Sequence, residues 1–272
     1  MVERIACFLT CGYTEAGAMQ SFLKKINNKY EYRQYLPNKT KKKKGTPKTI
    51  HPKFSGLTGE GLLKKVYEII EKHREELLSC RAIILEDDLD GRFHGMTEEQ
   101  ISQYKGEIAH TIREKLGGNL PVFILYASPE AESWFIADWK DGFEYLYKDS
   151  NVVTDVENQA KAFFTHHLRK YISKDILKEY EDDIENYGFF NGEYFKLSDK
   201  LIDGIQTDIK EYIKAIEGAN KEYVNQIVVS RDIFYSKKLH GDRMLRNIKP
   251  EILADKCRRY FSSVYYELHN LE

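Results

Sequence analysis

Short apolar runs alternate with amphipathic stretches along the first half of the chain. Residues 4–10, 81–85 and 121–126 are rich in strand formers, and residues 30–36 alternate polar and apolar positions as a half-buried strand does. The run at 121–126 is almost continuously apolar, which is typical of a strand buried on both faces. Between these runs, apolar residues recur at helical spacing over three stretches, at 15–27, 59–78 and 97–116.

This alternation predicts an α/β unit over residues 1–140, with a mainly parallel, Rossmann-like sheet flanked by helices. From residue 141 onward the pattern becomes largely helical. It predicts helices at roughly 155–186, 199–217 and 250–271, and one further strand at 224–230. We therefore expect two parts, an α/β domain at 1–140 and a helical extension at 141–272.

Composition and charge narrow the choice of function classes. The 272 residues are 42% hydrophobic and 31% charged, which suffices for a packed core, and the four cysteines lack the spacing of paired zinc ligands. With a net charge of −1, the chain as a whole does not attract nucleic acid. The sequence shows no secretory signal pattern and no apolar run of the roughly 18–20 residues that a membrane span needs. We expect a cytoplasmic protein that does not bind a membrane.

The segment at 37–54 offers a local basic patch. It holds three prolines and a glycine, which predict a loop, together with a run of lysines. Clustered lysines bind the nucleic-acid backbone by releasing counterions. We expect this contact to come from Lys41, Lys42, Lys43 and Lys44.

Acidic residues follow three of the predicted strands at the point where each strand ends. They are Glu15 after the first strand, Asp88 and Asp90 after the third, and Glu130 and Glu132 after the fourth. Functional groups of an open α/β sheet collect at the carboxyl ends of its strands. Asp88 and Asp90 stand two residues apart and can point to the same side, and their oxygens suit Mg²⁺ or Mn²⁺. The pattern predicts a site for a hard cation at this end of the sheet.

Four short motifs, in the same order, resemble a known family. Residues 85–91 read LEDDLDG, which is similar to the Asp-x-Asp strand end of the TOPRIM domains of topoisomerases, primases and the overcoming-lysogenization-defect nucleases. Three further segments resemble a TOPRIM-like nuclease family that is encoded beside ATPases in bacterial defence loci. They are GYTE at 12–15, PEAESWF at 129–135 and YSKKLHG at 235–241. The resemblance is spread over nearly the whole chain.

The resemblance implies a TOPRIM fold and metal-dependent cleavage of phosphodiester bonds in DNA or RNA. It also implies a role as an effector of anti-phage defence, with an ATPase as partner. By the same resemblance, Asp88, Asp90 and Glu132 hold Mg²⁺ or Mn²⁺ with help from Glu130, and Lys237 contacts the scissile phosphate.

One motif departs from the family pattern. The first strand of the family ends in Glu-Gly, whereas this chain has Cys11 before Gly12. The family glutamate is usually a metal ligand or general base, so the departure puts two-metal catalysis in question. Glu15, one helical turn further on, could take its place, as could Glu86 and Asp87.

Two alternatives stay open beside the nuclease. Cys11 favours a non-catalytic subunit that binds nucleic acid or an ATPase and has kept the fold with an incomplete acidic site. The sequence from Asp88 to Asp90 also resembles the nucleophile motif of haloacid-dehalogenase phosphotransferases. That motif belongs near the N-terminus and carries Thr or Val two residues after the second Asp, whereas Arg92 follows here in mid-chain.

Overall fold

The computed structural model describes most of the α/β half and the end of the chain. The described residues are 2–10, 12, 14–37, 56–143, 184–186, 189–190, 193–194 and 237–272. The predicted loop at 37–54 lies outside them apart from Pro37. The predicted helix at 199–217 and strand at 224–230 also lie outside, as does the helix at 155–186 apart from its last three residues.

Four parallel strands form the central sheet. They are β1 (Arg4–Phe8), β2 (Glu31–Leu36), β3 (Ala82–Asp88) and β4 (Val122–Ala127), arranged in the order β2-β1-β3-β4. Each neighbouring pair runs parallel. The protein therefore has an α/β fold with a parallel sheet flanked by helices, as the sequence predicts, and helices also form the end of the chain.

Helices cover both faces of the sheet. In the described residues they are α1 (Glu15–Ile26), α2 (Gly59–Lys72), α3 (Arg74–Leu78), α4 (Glu98–Leu116), α5 (Glu132–Ala137), α6 (Asp242–Asn247), α7 (Pro250–Lys256) and α8 (Phe261–His269). A π-helical turn, Lys237–Gly241, leads directly into α6. A 3-10 turn at Ile184–Asn186 precedes a two-stranded antiparallel ribbon, Phe189–Phe190 with Glu193–Tyr194. No helix in this described part is long and apolar enough to cross a membrane.

The alternation of side chains along the strands divides the hydrophobic core in two. Ile84 of β3 faces a layer that α1, α5 and the helices α6 to α8 cover. Ile83 and Leu85 face the opposite layer, which lies under α2, α3 and α4. In the first layer, the rings of Phe22 and Trp134 stack with their centroids 5.7 Å apart. Close packing on both faces holds the strand ends in fixed positions.

The helix predicted at 59–78 is two helices. It divides at His73, where the backbone leaves the helical region (φ −120°, ψ 25°) while the amide still donates to the Ile69 carbonyl at 2.9 Å. The His73 ring lies edge-on to Tyr35 of β2, with centroids 6.1 Å apart. The periodic pattern does not contain this tertiary contact, because it continues without a break to the buried Leu77.

The final predicted helix is also divided. α7 ends at Lys256 and α8 begins at Phe261. The carboxylate of Glu185 accepts hydrogen bonds from the amides of Arg259, Tyr260 and Phe261 at 2.7–3.1 Å. A carboxylate at this position satisfies amide groups at the beginning of a helix, so a distant residue fixes where α8 starts.

The third strand is longer than the predicted run at 81–85. It extends through Glu86 and Asp87 to Asp88, because these residues pair with β4 up to Ala127. The acidic residues therefore lie within the sheet rather than in a turn after it. Their side chains alternate between its two faces, which decides which of them can meet.

Candidate functional site

The carboxylates of the last residues of β3 lie on opposite faces of the sheet. By strand alternation, Glu86 and Asp88 share a face, and Asp87 points to the other. Asp87 accepts a hydrogen bond from the Gly59 amide at 3.0 Å and pairs with the Arg92 guanidinium at 2.5 Å. The Arg92 guanidinium and the Gly59 amide therefore compensate the charge of the Asp87 carboxylate.

Glu86 is fully buried on the first of these faces. Its Oε2 accepts a hydrogen bond of 2.9 Å from the Thr10 amide, just beyond the end of β1. Within the described residues its Oε1 has no hydrogen-bond partner. Burial, together with the charges of Glu15 and Asp88, raises the pKa of Glu86 well above its ordinary value. A buried carboxylate oxygen in this state is costly, which indicates a place for a cation or a proton.

Glu15 begins α1 and turns back over Gly12. A Cβ at position 12 would lie 2.2 Å from Glu15 Oε2, so glycine leaves the space that the carboxylate occupies. The side chain is buried, and burial is the main reason that the pKa of Glu15 rises to about 7. The charges of Glu132 and Glu130 also raise this pKa, while the charge of Lys237 lowers it. Glu15 therefore senses the same group of charges as Glu86 and Asp88 do.

The segment after β4 adds two more carboxylates. The Ala131 amide donates to Asp88 Oδ1 at 3.2 Å, so the turn between Glu130 and Glu132 lies against the end of β3. The Glu130 carbonyl accepts hydrogen bonds from the amide and the hydroxyl of Ser133, each at 2.9 Å, and these fix the turn into α5. Both glutamates are almost completely buried.

The ammonium of Lys237 lies between these two glutamates. Its Nζ is 2.9 Å from Glu130 Oε2 and 3.0 Å from Glu132 Oε2. Burial alone would lower the pKa of Lys237, but the carboxylates of Glu132, Asp88 and Glu130 outweigh it and raise the pKa. The side chain is 37% exposed, whereas the two carboxylates that its ammonium contacts are almost completely buried.

A π-helical turn positions Lys237. The turn runs from Lys237 to Gly241. Such turns are rare in proteins, and those that occur often lie at functional sites. Gly241 packs closely against the beginning of α1, since a Cβ there would lie 2.3 Å from Thr14 Oγ1. The absence of a side chain at Gly241 is what lets the turn approach the acidic residues.

Five buried carboxylates and one ammonium thus form a connected group of charges in the described part of the chain. We call them together the carboxylate cluster: Glu15, Glu86, Asp88, Glu130, Glu132 and Lys237. Burial and the charge of Glu15 raise the pKa of Asp88 well above its ordinary value, although Lys237 lowers it. Like charges at close range disfavour ionisation unless protons or cations compensate them. The carboxylate cluster therefore has more negative than positive groups.

The donors of the carboxylate cluster fit a hard divalent cation. Carboxylate oxygens are the ligands that Mg²⁺ and Mn²⁺ prefer, and the cluster supplies more of them than Lys237 balances. As the side chains stand, no three Asp, Glu, His or Cys residues of the described chain form a ready metal-binding arrangement. Lys237 lies where Glu130 and Glu132 converge, so a cation could bind there only after the lysine has moved.

The remaining predicted site residues take other places. Asp90 has a left-handed backbone (φ 45°), and its amide donates to the Pro129 carbonyl at 2.9 Å. Its charge raises the pKa of Asp87, and in the described chain its side chain makes none of the hydrogen bonds or ion pairs that join the cluster. Asp90 as a metal ligand stays a prediction. Cys11 and the basic run from Lys41 to Lys44 lie outside the described residues, and their roles also stay predictions.

Two features of the site go beyond what the sequence patterns predict. From the sequence, Glu86 and Asp87 are equal candidates to replace the family glutamate. In the structure, Glu86 joins the cluster and Asp87 does not. Strand alternation, applied through Asp88, is the signal that separates them. The contact of Gly241 with Thr14 joins segments from opposite ends of the chain, and no local pattern predicts it.

Comparison with known proteins gives no relative. No protein-family model matches the chain, and neither a curated protein nor a solved structure matches it. Function must therefore be inferred from the geometry of the carboxylate cluster and from the sequence motifs.

Proposed function

We propose that the chain is a metal-dependent nuclease that hydrolyses phosphodiester bonds in nucleic acid. The observation that carries this proposal is that, among the described residues, buried carboxylates outnumber cations at the carboxyl end of a parallel sheet, with the Lys237 ammonium between two of them. Open α/β sheets bind their ligands at this end. The TOPRIM-like motifs support the same interpretation and add a role in anti-phage defence beside a partner ATPase.

The members of the carboxylate cluster would have different roles in the reaction. Asp88, Glu130 and Glu132 would hold Mg²⁺ or Mn²⁺, which when bound supplies Lewis acidity and activates water. Glu15, with a pKa of about 7, can accept a proton from the attacking water near neutral pH. Lys237 would turn its ammonium toward a phosphate oxygen, where negative charge increases in the transition state.

The test is cleavage by the purified protein. Supercoiled plasmid, single-stranded DNA and total tRNA are incubated with Mg²⁺, Mn²⁺ or EDTA, with and without a neighbouring ATPase where one is encoded. We expect metal-dependent cleavage that Glu132→Ala lowers by about a hundredfold or more, because the cation loses a ligand. Asp255→Asn changes an exposed carboxylate on α7 and should cleave like the wild type. Cleavage in EDTA, or cleavage that survives Glu132→Ala, would contradict the proposal.

The second candidate function is a non-catalytic subunit that binds nucleic acid or an ATPase. The position of Lys237 favours it, because an ammonium paired with two buried glutamates stabilises the cluster without a metal. Cys11 in place of the family glutamate points the same way. In this case the wild type cleaves none of the three substrates, and Cys11→Glu restores at most a trace of cleavage. In the nuclease, the same substitution should preserve or increase Mn²⁺-dependent cleavage.

A further inference from the structure

Lys237 reaches the point where two buried glutamates converge. Its Nζ donates a charge-assisted hydrogen bond of 2.9 Å to Glu130 Oε2 and lies 3.0 Å from Glu132 Oε2, close enough for an ion pair. The two glutamates are 2% and 0% exposed, whereas the lysine side chain is 37% exposed. Lys237 is therefore the member of this group that can turn into solvent while the others stay in place.

Only the end of the Lys237 side chain has to move. The π-helical turn fixes the backbone, and Gly241 at its end packs against Thr14 without space for a methyl group. A lysine carries its charge on a flexible four-carbon stem, so its ammonium can shift by several bonds while the main chain stays still.

A metal held by the same glutamate oxygens would lie next to the ammonium. Two cations at such close range repel each other strongly in a partly buried site. The carboxylates of Glu130 and Glu132 can therefore bind the ammonium or a divalent cation, but both at once is unfavourable.

We propose that Lys237 is a built-in cation that competes with the divalent metal for Glu130 and Glu132. In the metal-free protein its ammonium lies between the two glutamates and balances one of their two charges. When the metal binds, the lysine leaves them and becomes the positive group that meets the substrate phosphate. This inference rests on the metal site of the proposed function, though not on nuclease activity.

The experiment is a calorimetric titration of the full chain with Mn²⁺. We expect Lys237→Met to bind Mn²⁺ about tenfold more tightly than the wild type, or tighter still, because the competing cation is gone. Without metal, this variant should melt roughly 5–10 °C lower, since two buried glutamates lose the ammonium that contacts them, and Mn²⁺ should reverse that loss. Lys238→Met removes the exposed neighbouring lysine and should keep the wild-type affinity and melting temperature.

Two further variants keep the test decisive if Lys237→Met does not fold. Lys237→Gln can still donate hydrogen bonds to the glutamates but has no charge, so it should bind Mn²⁺ as tightly as Lys237→Met does. Lys237→Arg keeps the charge and should bind Mn²⁺ as weakly as the wild type. This order of affinities separates competition by charge from a simple loss of structure.

The outcomes distinguish this inference from the nuclease proposal. Mn²⁺ affinity that is the same in the wild type and in the neutral variants would overturn the competition and leave the metal site intact. Tighter binding by the neutral variants, without cleavage by any variant, would support the competition and overturn the nuclease. If the wild type and all Lys237 variants fail to bind Mn²⁺, the competition and the metal site are both wrong.

Discussion

Asp87 and Asp88 are consecutive residues of one strand, yet they lie in opposite environments. Asp87 pairs with Arg92 and accepts a hydrogen bond from the Gly59 amide. Asp88 lies in the carboxylate cluster, where the neighbouring charges are mostly negative. Asp87 thus holds the beginning of α2 against the sheet, whereas Asp88 belongs to the proposed cation site.

The comparison teaches that compensation, rather than acidity, separates a structural carboxylate from a functional one. Burial raises the pKa of Asp87 to about 6, although Arg92 and the Gly59 amide lower it. Burial and the charge of Glu15 raise the pKa of Asp88 well above its ordinary value, and Lys237 only partly offsets them. A buried acid that neighbours leave uncompensated binds a proton or a cation.

The largest effect is expected from Asp88→Asn. This substitution should lower metal-dependent cleavage by about a thousandfold, because a ligand loses its charge in a site where charge drives metal binding. It should also raise the melting temperature of the metal-free protein, since the amide oxygen can still accept from Ala131 and one repelled charge is gone. Cleavage with Mg²⁺ or Mn²⁺ measures the first effect, and thermal melting in EDTA measures the second. Wild-type cleavage, or a marked loss of stability, would assign Asp88 to the fold instead.

The next largest effect is the pH dependence of the stability of the protein, to which the buried acids of the carboxylate cluster contribute. Burial raises the pKa of Glu15 in the folded protein to about 7, above its ordinary value of 4.5. The folded state thus holds this proton more tightly than the unfolded chain does. The stabilisation is full below pH 4.5 and is lost as the pH rises through 7. Glu86 and Asp88, with raised pKa values, act in the same direction.

We therefore expect the free energy of unfolding of the metal-free protein to fall between pH 5 and 8, with Glu15 contributing up to about 3 kcal/mol. Glu15→Gln cannot ionise and should flatten the decline. Glu60→Gln, on the exposed surface of α2, should leave it unchanged. Urea denaturation in EDTA at each pH is the measurement. Stability that rises over this range in the wild type would contradict the assignment of these buried acids.

The smallest effect is expected from Asp87→Asn, the counterpart of Asp88→Asn. It removes a buried charge that Arg92 and the Gly59 amide need as a partner, so it should lower the free energy of unfolding by about 2 kcal/mol. Cleavage per folded molecule should stay close to that of the wild type, because Asp87 points away from the cluster. Urea denaturation measures the free energy of unfolding, and cleavage divided by the amount of folded protein tests the second expectation. A large loss of cleavage in the folded variant would end the contrast between the two aspartates.

Much of the fold could be predicted because the strands appear as local patterns. The apolar runs at 4–10 and 121–126 correspond to β1 and β4, and the alternating run at 30–36 corresponds to β2. The helix boundaries at His73 and before Phe261 could not be predicted. They depend on contacts with distant residues, namely the ring of Tyr35 and the carboxylate of Glu185.

The candidate site is predictable in part for the same reason. Asp88, Glu130 and Glu132 follow apolar strands, and parallel strands bring their ends together, so position alone suggests that these acids meet. Lys237 enters only through a motif resemblance. Its pairing with two glutamates depends on a π-helical turn and on the close approach of Gly241, which local spacing does not encode.

The place of Lys237 in the chain has a consequence for synthesis. It stands 107 residues after Glu130, whereas the fourth strand of the sheet is complete at Ala127. At about 5–20 residues per second, a growing chain would carry the acids without their lysine for roughly 5–20 s. During that interval α6 to α8 are also missing from the same face of the sheet. Protons or divalent ions from the surroundings can therefore reach the glutamates before Lys237 does. In the competition that we propose, a divalent ion that arrives during this interval binds without having to displace the lysine.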